Sequence, residues 1–354
     1  MTPLAGILAR RIRAEGPITV ADYMAECLLH PEHGYYATRD PLGADGDFTT
    51  APEISQMFGE CLGLALVQAW LDQGRPPQVV LAEIGPGRGT LMADMLRATR
   101  AVPGFAEAMG VHLVEASPVL REKQRQALPD VEVTWHDRVE TLPEAPLFLV
   151  ANEFFDALPI RQFIRDPGGW RERRVALEGE ALVFGATDPA PLADLAHRLE
   201  DTGPGDMVEI CPSLPPIAGE VARRVGIHGG VAIFVDYGDW RSKGDTLQAL
   251  KAHEYCDVLA EPGLADLTAH VDFEALAKAA APHAAVTRMT PQGVLLERLG
   301  ITARAQVLAR GLSGAALESH IAAHRRLTHP EEMGSLFKSI AYHPKGTPPP
   351  PGFD

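Results

Sequence analysis

The chain has 354 residues, 46% of them hydrophobic, so it can bury a substantial core. Its 32 Lys and Arg against 47 Asp and Glu give a formal net charge of -15, which argues against extended contacts with nucleic acid or anionic membranes, because both depend on clustered cations. No apolar run approaches the roughly 20 residues of a membrane span, and the scattered cysteines indicate neither a disulfide framework nor a metal site.

The first 75 residues are predicted to form a helical N-terminal cap, with helices near residues 4–15, 19–29 and 53–73. The segment between the second and third helices, residues 30–53, is dense in Gly, Pro and Asp and has no periodicity. Loops of this length are typically functional or disordered, and the aromatic residues within this one favour order. We therefore interpret it as a candidate lid.

From about residue 78, short apolar runs alternate with helical stretches. The runs lie at residues 79–84, 111–114, 131–135, 147–151 and 231–236. This alternation predicts an α/β fold with an open, mainly parallel sheet that is covered on both faces.

Residues 161–185 alternate apolar with polar side chains across two turn signals, which predicts an antiparallel insertion at about residues 160–228. A helix near 271–282, a strand near 284–289 and more helix to about 326 follow. The predicted core therefore spans residues 76–340, and residues 341–354 form a proline-rich tail.

The sharpest functional signal is a glycine loop directly after the first of these strands. Gly85, Gly87 and Gly89 let the backbone come close to a ligand, and a helix begins at once at Thr90. A glycine loop is a weak signal by itself. Its position after a strand and before a helix makes a nucleotide-type cofactor site the favoured interpretation.

Two acidic residues narrow the choice of cofactor. Glu115 ends the second strand and could accept hydrogen bonds from both hydroxyls of a ribose, although it could also simply cap the next helix. Glu83 lies two residues before the first glycine, where it would repel a pyrophosphate but could serve the cationic amino-acid end of S-adenosylmethionine. The spacing G-x-G-x-G also differs from the G-x-G-x-x-G of dinucleotide sites, so S-adenosylmethionine is favoured over NAD.

The fourth strand leads into the sequence NEFFDALP, which begins at Asn152. Ligands of open parallel sheets bind at the carboxyl ends of the strands, so these polar groups should face the donor methyl. If the methyl acceptor is a guanidinium, Glu153 and Asp156 would orient it by paired hydrogen bonds. The alternative is that Asn152 and Asp156 form a turn or a helix cap.

Seven sequence blocks resemble, in order, the MidA family, the bacterial and mitochondrial methyltransferases linked to assembly of respiratory complex I. The blocks are GDFTTAPEISQMFGE, AEIGPGRGTLMADML, HLVEASP, ANEFFDALPIRQF, VDYG, GDTLQALKAH and DLTAHVDF. The resemblance extends from about Gly16 to Phe337. It implies a class I, Rossmann-like methyltransferase core that uses S-adenosylmethionine. From the mitochondrial members it implies symmetric dimethylation of an arginine on a complex I subunit.

The resemblance also implies roles for individual residues. The three glycines would surround the amino-acid part of the donor, with Glu83 and Thr90 alongside and Glu115 at the ribose. The remaining assignments have alternatives. Asp137 could approach the adenine or lie in a surface turn. Thr50 and Glu53 could close over the donor, or Thr50 or Pro52 could simply start the helix at Glu53.

His270 could accept a proton, because the ordinary pKa of histidine lies near physiological pH, or it could be structural. The expected partner is a protein substrate, a complex I subunit. The alternatives are a small-molecule methyltransferase with the same donor site and an assembly chaperone that keeps the donor as a structural ligand. The sequence lacks an extended targeting segment, which favours a bacterial, cytoplasmic protein; a eukaryotic one would belong in the mitochondrial matrix. The oligomeric state is not predicted.

Overall fold

The computed structural model describes residues 2–38 and 49–354, with the backbone alone for Ala37 and Thr38. Residues 39–48 of the predicted lid lie outside the described residues, so the lid stays a prediction. In the described part of the chain, no helix combines the length and the apolar character needed to cross a membrane.

Helices and strands alternate through the middle of the chain. The helices are α1 Pro3–Glu15, α2 Val20–Leu29, α3 Tyr35–Thr38, α4 Ala51–Ile54, α5 Gln56–Asp72, α6 Thr90–Thr99, α7 Phe105–Ala108, α8 Pro118–Ala127, α9 Leu214–His228, α10 Phe273–Ala280, α11 Gln292–Arg298, α12 Ile301–Ala309, α13 Gly314–Thr328 and α14 Met333–Leu336. The strands are β1 Ile18–Thr19, β2 Val79–Ile84, β3 Met109–Val114, β4 Val133–His136, β5 Leu147–Asn152, β6 Arg161–Asp166, β7 Gly169–Glu178, β8 Ala181–Ala186, β9 Met207–Ile210, β10 Gly230–Asp239, β11 Gln248–Lys251, β12 Glu254–Cys256, β13 Asp266–Thr268, β14 Val271–Asp272, β15 Ala285–Val286, β16 Thr290–Pro291 and β17 Phe337–His343.

The central sheet has the strand order β17-β10-β5-β2-β3-β4, with β10, β5, β2, β3 and β4 parallel and β17 antiparallel. The predicted open, mainly parallel sheet is therefore confirmed. From β2 the chain moves outward to β3 and β4, and then returns to β5 on the other side of β2. In open α/β sheets, ligands bind at such a reversal, outside the carboxyl ends of the strands.

Both faces of the sheet are buried, which explains the continuous apolar runs in the sequence. In β2, Val79 and Leu81 belong to the core formed with α5 and α6, whereas Val80 and Ala82 belong to the core formed with α9 and α10. Every residue of β2 is buried, including Glu83, the charged residue that interrupts the apolar run.

The predicted antiparallel insertion is present as strands β6 to β9, with β7 paired to both β6 and β8. β1 joins this sheet by pairing with β7, so the N-terminal segment is connected to the insertion. A small separate sheet, β12-β11-β13, lies between β10 and α10 in the sequence. The division of the chain at residues 76 and 340 stays a prediction.

Two local predictions need correction. The helix predicted for residues 53–73 is broken at Ser55, whose extended backbone and side-chain oxygen cap α5 through the N–H of Met57. The strand predicted for residues 284–289 is limited to β15, because the chain then turns to pair again with β17. Strand β17 itself was not predicted, and it crosses the boundary at residue 340. The tail beyond it ends on a buried Phe353, which packs in the core with α11.

Candidate active site

A cavity of about 870 Å³ opens at the carboxyl ends of β2, β3 and β5. This volume is within the usual range for small-molecule sites. The predicted residues that line it are Thr50, Glu53, Glu83, Gly85, Gly87, Thr90, Glu115, Asp137, Asn152 and Glu153. Gly89, Asp156 and His270 are not among its lining residues.

The glycine loop needs glycine because of its backbone conformation. Gly85, Gly87 and Gly89 have φ values of 66°, 52° and 86°, in the left-handed region that residues with a side chain rarely adopt. A Cβ on Gly85 would also lie 2.8 Å from Cδ2 of Phe154, in the turn after β5. The loop after β2 and the turn after β5 are therefore in close contact, at the point where the sheet reverses.

Glu83 places a buried carboxyl group next to this loop. The residue is 3% exposed, and among the described residues its Oε2 has no hydrogen-bond partner. Burial raises its pKa to about 8, although the backbone N–H of Met92 opposes this shift. A buried, unpartnered carboxylate oxygen beside a cavity calls for a cation or a hydrogen-bond donor. The α-ammonium group of S-adenosylmethionine provides both, so the site fits this cofactor.

Glu115 is held so that it can face a second part of the ligand. Its Oε1 accepts a hydrogen bond from the N–H of Ser117 at 2.7 Å, and its Oε2 accepts one from Nε2 of Gln124 at 3.3 Å. Both oxygens retain lone pairs for further donors, such as ribose hydroxyls. Glu115 therefore both holds the following turn and remains able to bind a ribose.

Gln124 is a site residue that sequence reasoning missed. Its fully buried amide donates to the carbonyl of Gly87 at 2.8 Å and accepts from Nε1 of Trp135 at 2.8 Å. It thus joins the glycine loop to Glu115 and to β4. The sequence carries no signal for this role, because a glutamine among the polar residues of α8 is typical of a solvent-facing position.

Asp137 lines the cavity but keeps 79% of its side chain exposed, where it forms an ion pair with Arg121 at 2.6 Å. Both alternatives from the sequence thus remain open for it.

Glu53 accepts a hydrogen bond from the Thr90 hydroxyl at 2.5 Å. Thr50 begins α4 without making a side-chain capping hydrogen bond. The start of α4 therefore contacts the glycine loop directly.

Glu153 follows β5 in a conformation that costs energy. Its φ of 51° is left-handed, although it is not glycine, and such residues concentrate at functional sites. Its Oε1 accepts hydrogen bonds from the N–H of Ala51 and from Nδ2 of Asn152, both at 3.0 Å. Burial is the largest cause that raises its pKa to about 7, and the nearby Asp156 adds to it.

Asp156 follows Glu153 in the turn after β5, but it does not line the cavity. It is 6% exposed, and its Oδ1 has no partner within the described part of the chain. Burial raises its pKa to about 6, against the effect of the Tyr237 hydroxyl. Glu153 and Asp156 therefore form a pair of electrostatically interacting carboxyl groups at the end of β5, one of them at the cavity surface.

His270 lies elsewhere. Its ring makes an edge contact with Tyr237 at a centroid distance of 5.4 Å, and it lines a separate depression with Arg326 and Lys338. Burial and the charge of Lys338 lower its pKa. The structure does not bring His270 to the cavity that contains Glu153, so the structural alternative from the sequence suits this position better than a proton acceptor.

Comparison with known proteins identifies the cofactor chemistry. Residues 61–292 match the model of a family of S-adenosyl-L-methionine-dependent methyltransferases. Two relatives carry the name "Protein arginine methyltransferase NDUFAF7, mitochondrial". The Danio rerio protein is 38% identical over 357 residues, 94% of this chain and 84% of the relative. The Homo sapiens protein is 35% identical over 372 residues, 97% of this chain and 84% of the relative.

A solved structure agrees with the sequence relatives. A Burkholderia thailandensis protein, crystallised with bound S-adenosyl-homocysteine, is 29% identical, with a TM-score of 0.82 over 99% of this chain and 92% of that one. S-adenosyl-homocysteine is what S-adenosylmethionine becomes after it gives up its methyl group. The class I methyltransferase fold and the S-adenosylmethionine cofactor predicted from the sequence are thus confirmed. The chain belongs to the MidA-like family of S-adenosylmethionine-dependent methyltransferases.

Proposed function

We propose that the protein transfers the methyl group of S-adenosylmethionine to an arginine side chain of a protein. The observation that carries this proposal is the pair of carboxyl groups, Glu153 and Asp156, at the end of β5 beside the donor cavity. Carboxylates are the natural partners of a guanidinium. The names of the curated relatives, which are protein arginine methyltransferases, support the same acceptor.

We propose one role for each acidic residue of the donor site. Glu83 would hold the ammonium group, Glu115 would hold the ribose, and the backbone of the glycine loop would lie against the amino-acid part. When bound, S-adenosylmethionine supplies an electrophilic methyl group on a sulfonium. The contribution of the protein is therefore to position the acceptor nitrogen in line with that methyl and to exclude water.

Glu153 is the residue proposed to orient the acceptor. Because Oε1 already accepts two hydrogen bonds, Oε2 is the oxygen left to bind a guanidinium. A carboxylate there holds the N–H groups and concentrates positive charge away from the attacking nitrogen. As the new N–C bond forms and the sulfonium C–S bond breaks, the nitrogen releases a proton. The Glu153 carboxylate, with a pKa near 7, is suited to accept it.

The finer identity of the substrate is part of the proposal. The resemblance to the MidA family supports a complex I subunit, and the net charge of -15 suits a basic target segment. Cells with and without this protein would be compared by mass spectrometry of methylated arginine peptides, with emphasis on complex I subunits. We expect a dimethylarginine that disappears in the deletion and returns with the wild-type chain, but not with Glu153→Gln.

A matched control is Glu122→Gln, an exposed carboxylate on α8, which should restore the modification fully. Restoration by Glu153→Gln would remove Glu153 from the proposed mechanism. An unchanged set of methylarginines, with a methylated small molecule lost instead, would contradict the protein substrate.

A further inference from the structure

Asp236, near the end of β10, makes an unusual set of hydrogen bonds. It is 2% exposed, and its Oδ2 accepts from the backbone N–H groups of Phe154, Phe155 and Asp156 at 3.2, 3.0 and 3.3 Å. Its Oδ1 accepts from the N–H of Tyr237 at 3.0 Å. Four backbone donors thus converge on one buried carboxyl group, although burial, followed by the charges of Asp156 and Glu153, raises its pKa well above the ordinary value.

The three N–H groups on Oδ2 belong to the turn that directly follows Glu153. The N–H of Glu153 itself donates to the carbonyl of Val235 at 3.0 Å. Four consecutive N–H groups, those of residues 153–156, are therefore held by two consecutive residues of β10. This turn contains the left-handed φ of Glu153, a conformation that is unfavourable for a residue with a side chain and persists only when its surroundings fix it.

Asp236 itself does not line the donor cavity. We infer that Asp236 is a positioning residue for methyl transfer, which fixes the backbone of Glu153 so that its carboxylate meets the acceptor. This inference rests on the proposed role of Glu153. It assigns the VDYG block a function that its place at the end of a strand does not suggest.

The kinetic effect expected of this role differs from that of a purely structural role. Replacing a residue that only stabilises the fold should weaken donor binding and the rate together. Because Asp236 holds the turn that follows Glu153 and does not line the donor cavity, its replacement should lower kcat and leave donor binding unchanged.

The test uses the 354-residue chain, methyl-labelled S-adenosylmethionine and an extract of cells that lack this protein. Asp236→Asn keeps one oxygen for the three N–H groups but turns its amide N–H groups toward the N–H of Tyr237, so we expect a moderate fall in kcat. Asp236→Ala removes the acceptor, and we expect kcat to fall on the order of 10²-fold, as displacement of a catalytic group does. KM for S-adenosylmethionine and the affinity for S-adenosyl-homocysteine should stay within about twofold.

Two parallel variants separate the possible failures. Asp239→Asn, an exposed carboxylate at the end of the same strand, should behave as wild type. Full activity of Glu153→Gln would show that the proposed role of Glu153 is wrong. An inactive Glu153→Gln together with a wild-type kcat for a folded Asp236→Ala would overturn the positioning role alone. So would a loss of S-adenosyl-homocysteine affinity equal to the loss of rate. If Asp236→Ala does not fold, Asp236→Asn carries the test.

Discussion

When it is ionised, the buried carboxylate of Glu83 should lower the free energy of unfolding, although the same group is proposed to bind the donor. Its pKa is raised from an ordinary 4.5 to about 8. Between these values the folded chain keeps a proton that the unfolded chain releases, so the free energy of unfolding falls as pH rises, and the full cost is reached above pH 8. At about 1.4 kcal/mol per pKa unit the shift corresponds to roughly 5 kcal/mol. Because the carboxylate borders an open cavity, we expect about 2–3 kcal/mol after screening.

Glu83→Gln keeps the shape of the side chain and removes its charge. Urea unfolding should therefore give nearly equal free energies for wild type and variant at pH 5, and a variant that is more stable by about 2–3 kcal/mol at pH 9. The same variant should lose affinity for S-adenosylmethionine, on the order of tenfold or more, because a hydrogen bond to a charged group contributes about 1.5–3 kcal/mol. Calorimetric titration measures this loss.

Glu122→Gln is the matched control, since it removes an exposed carboxylate and should change stability little at either pH. If Glu83→Gln differs from wild type by the same amount at pH 5 and pH 9, then Glu83 does not carry a raised pKa. If it binds S-adenosylmethionine as tightly as wild type, Glu83 does not hold the ammonium group.

Three further predictions concern other parts of the molecule. Because the pKa of Glu153 is raised to about 7 and its carboxylate is the active form, kcat/KM should rise with pH up to about 7 and then level off; a flat profile between pH 5.5 and 8 would contradict this. Gln124→Leu leaves the carbonyl of Gly87 without its buried donor, so calorimetry should show donor affinity reduced on the order of tenfold, with kcat at saturating donor retained; a fall in kcat instead would place Gln124 in catalysis. Arg304→Met removes an arginine that donates two hydrogen bonds to the buried Glu60, and urea unfolding should show a loss of stability of about 2–3 kcal/mol. A second change, Glu60→Gln, should recover most of this loss. If the losses of the two single variants simply add in the double variant, Arg304 and Glu60 do not stabilise each other.

The donor site could be predicted from the sequence because its parts are local. Buried parallel strands leave continuous apolar runs, and the residues that follow them must meet at one edge of the sheet. Gly85, Glu115 and Asn152 each follow such a run directly, and all three line the same cavity. Their positions relative to the strands were therefore sufficient to predict that they line one site.

The supporting residues could not be predicted because their contacts are distant in the sequence. Gln124 contacts Gly87 across 37 positions, and Asp236 contacts Phe154 across 82. Neither the periodicity nor the motif spacing of the sequence indicates contacts between residues so far apart. The same holds for β17, which pairs with β10 about a hundred residues away. His270 is the opposite case, since its residue type indicated chemistry, but the chain places it beside Tyr237 and away from the cavity.

The carboxyl groups after β5 are proposed to direct a methyl group to a protein arginine. This role can be tested with purified protein, S-adenosylmethionine with an isotopically labelled methyl group, and an extract of cells that lack this protein, followed by residue-level mass spectrometry. With the wild-type chain we expect label on arginine. With Glu153→Gln we expect on the order of 10²-fold less label, despite normal donor binding. Label on another residue type or on a small molecule, or an equal yield from Glu153→Gln, would contradict it.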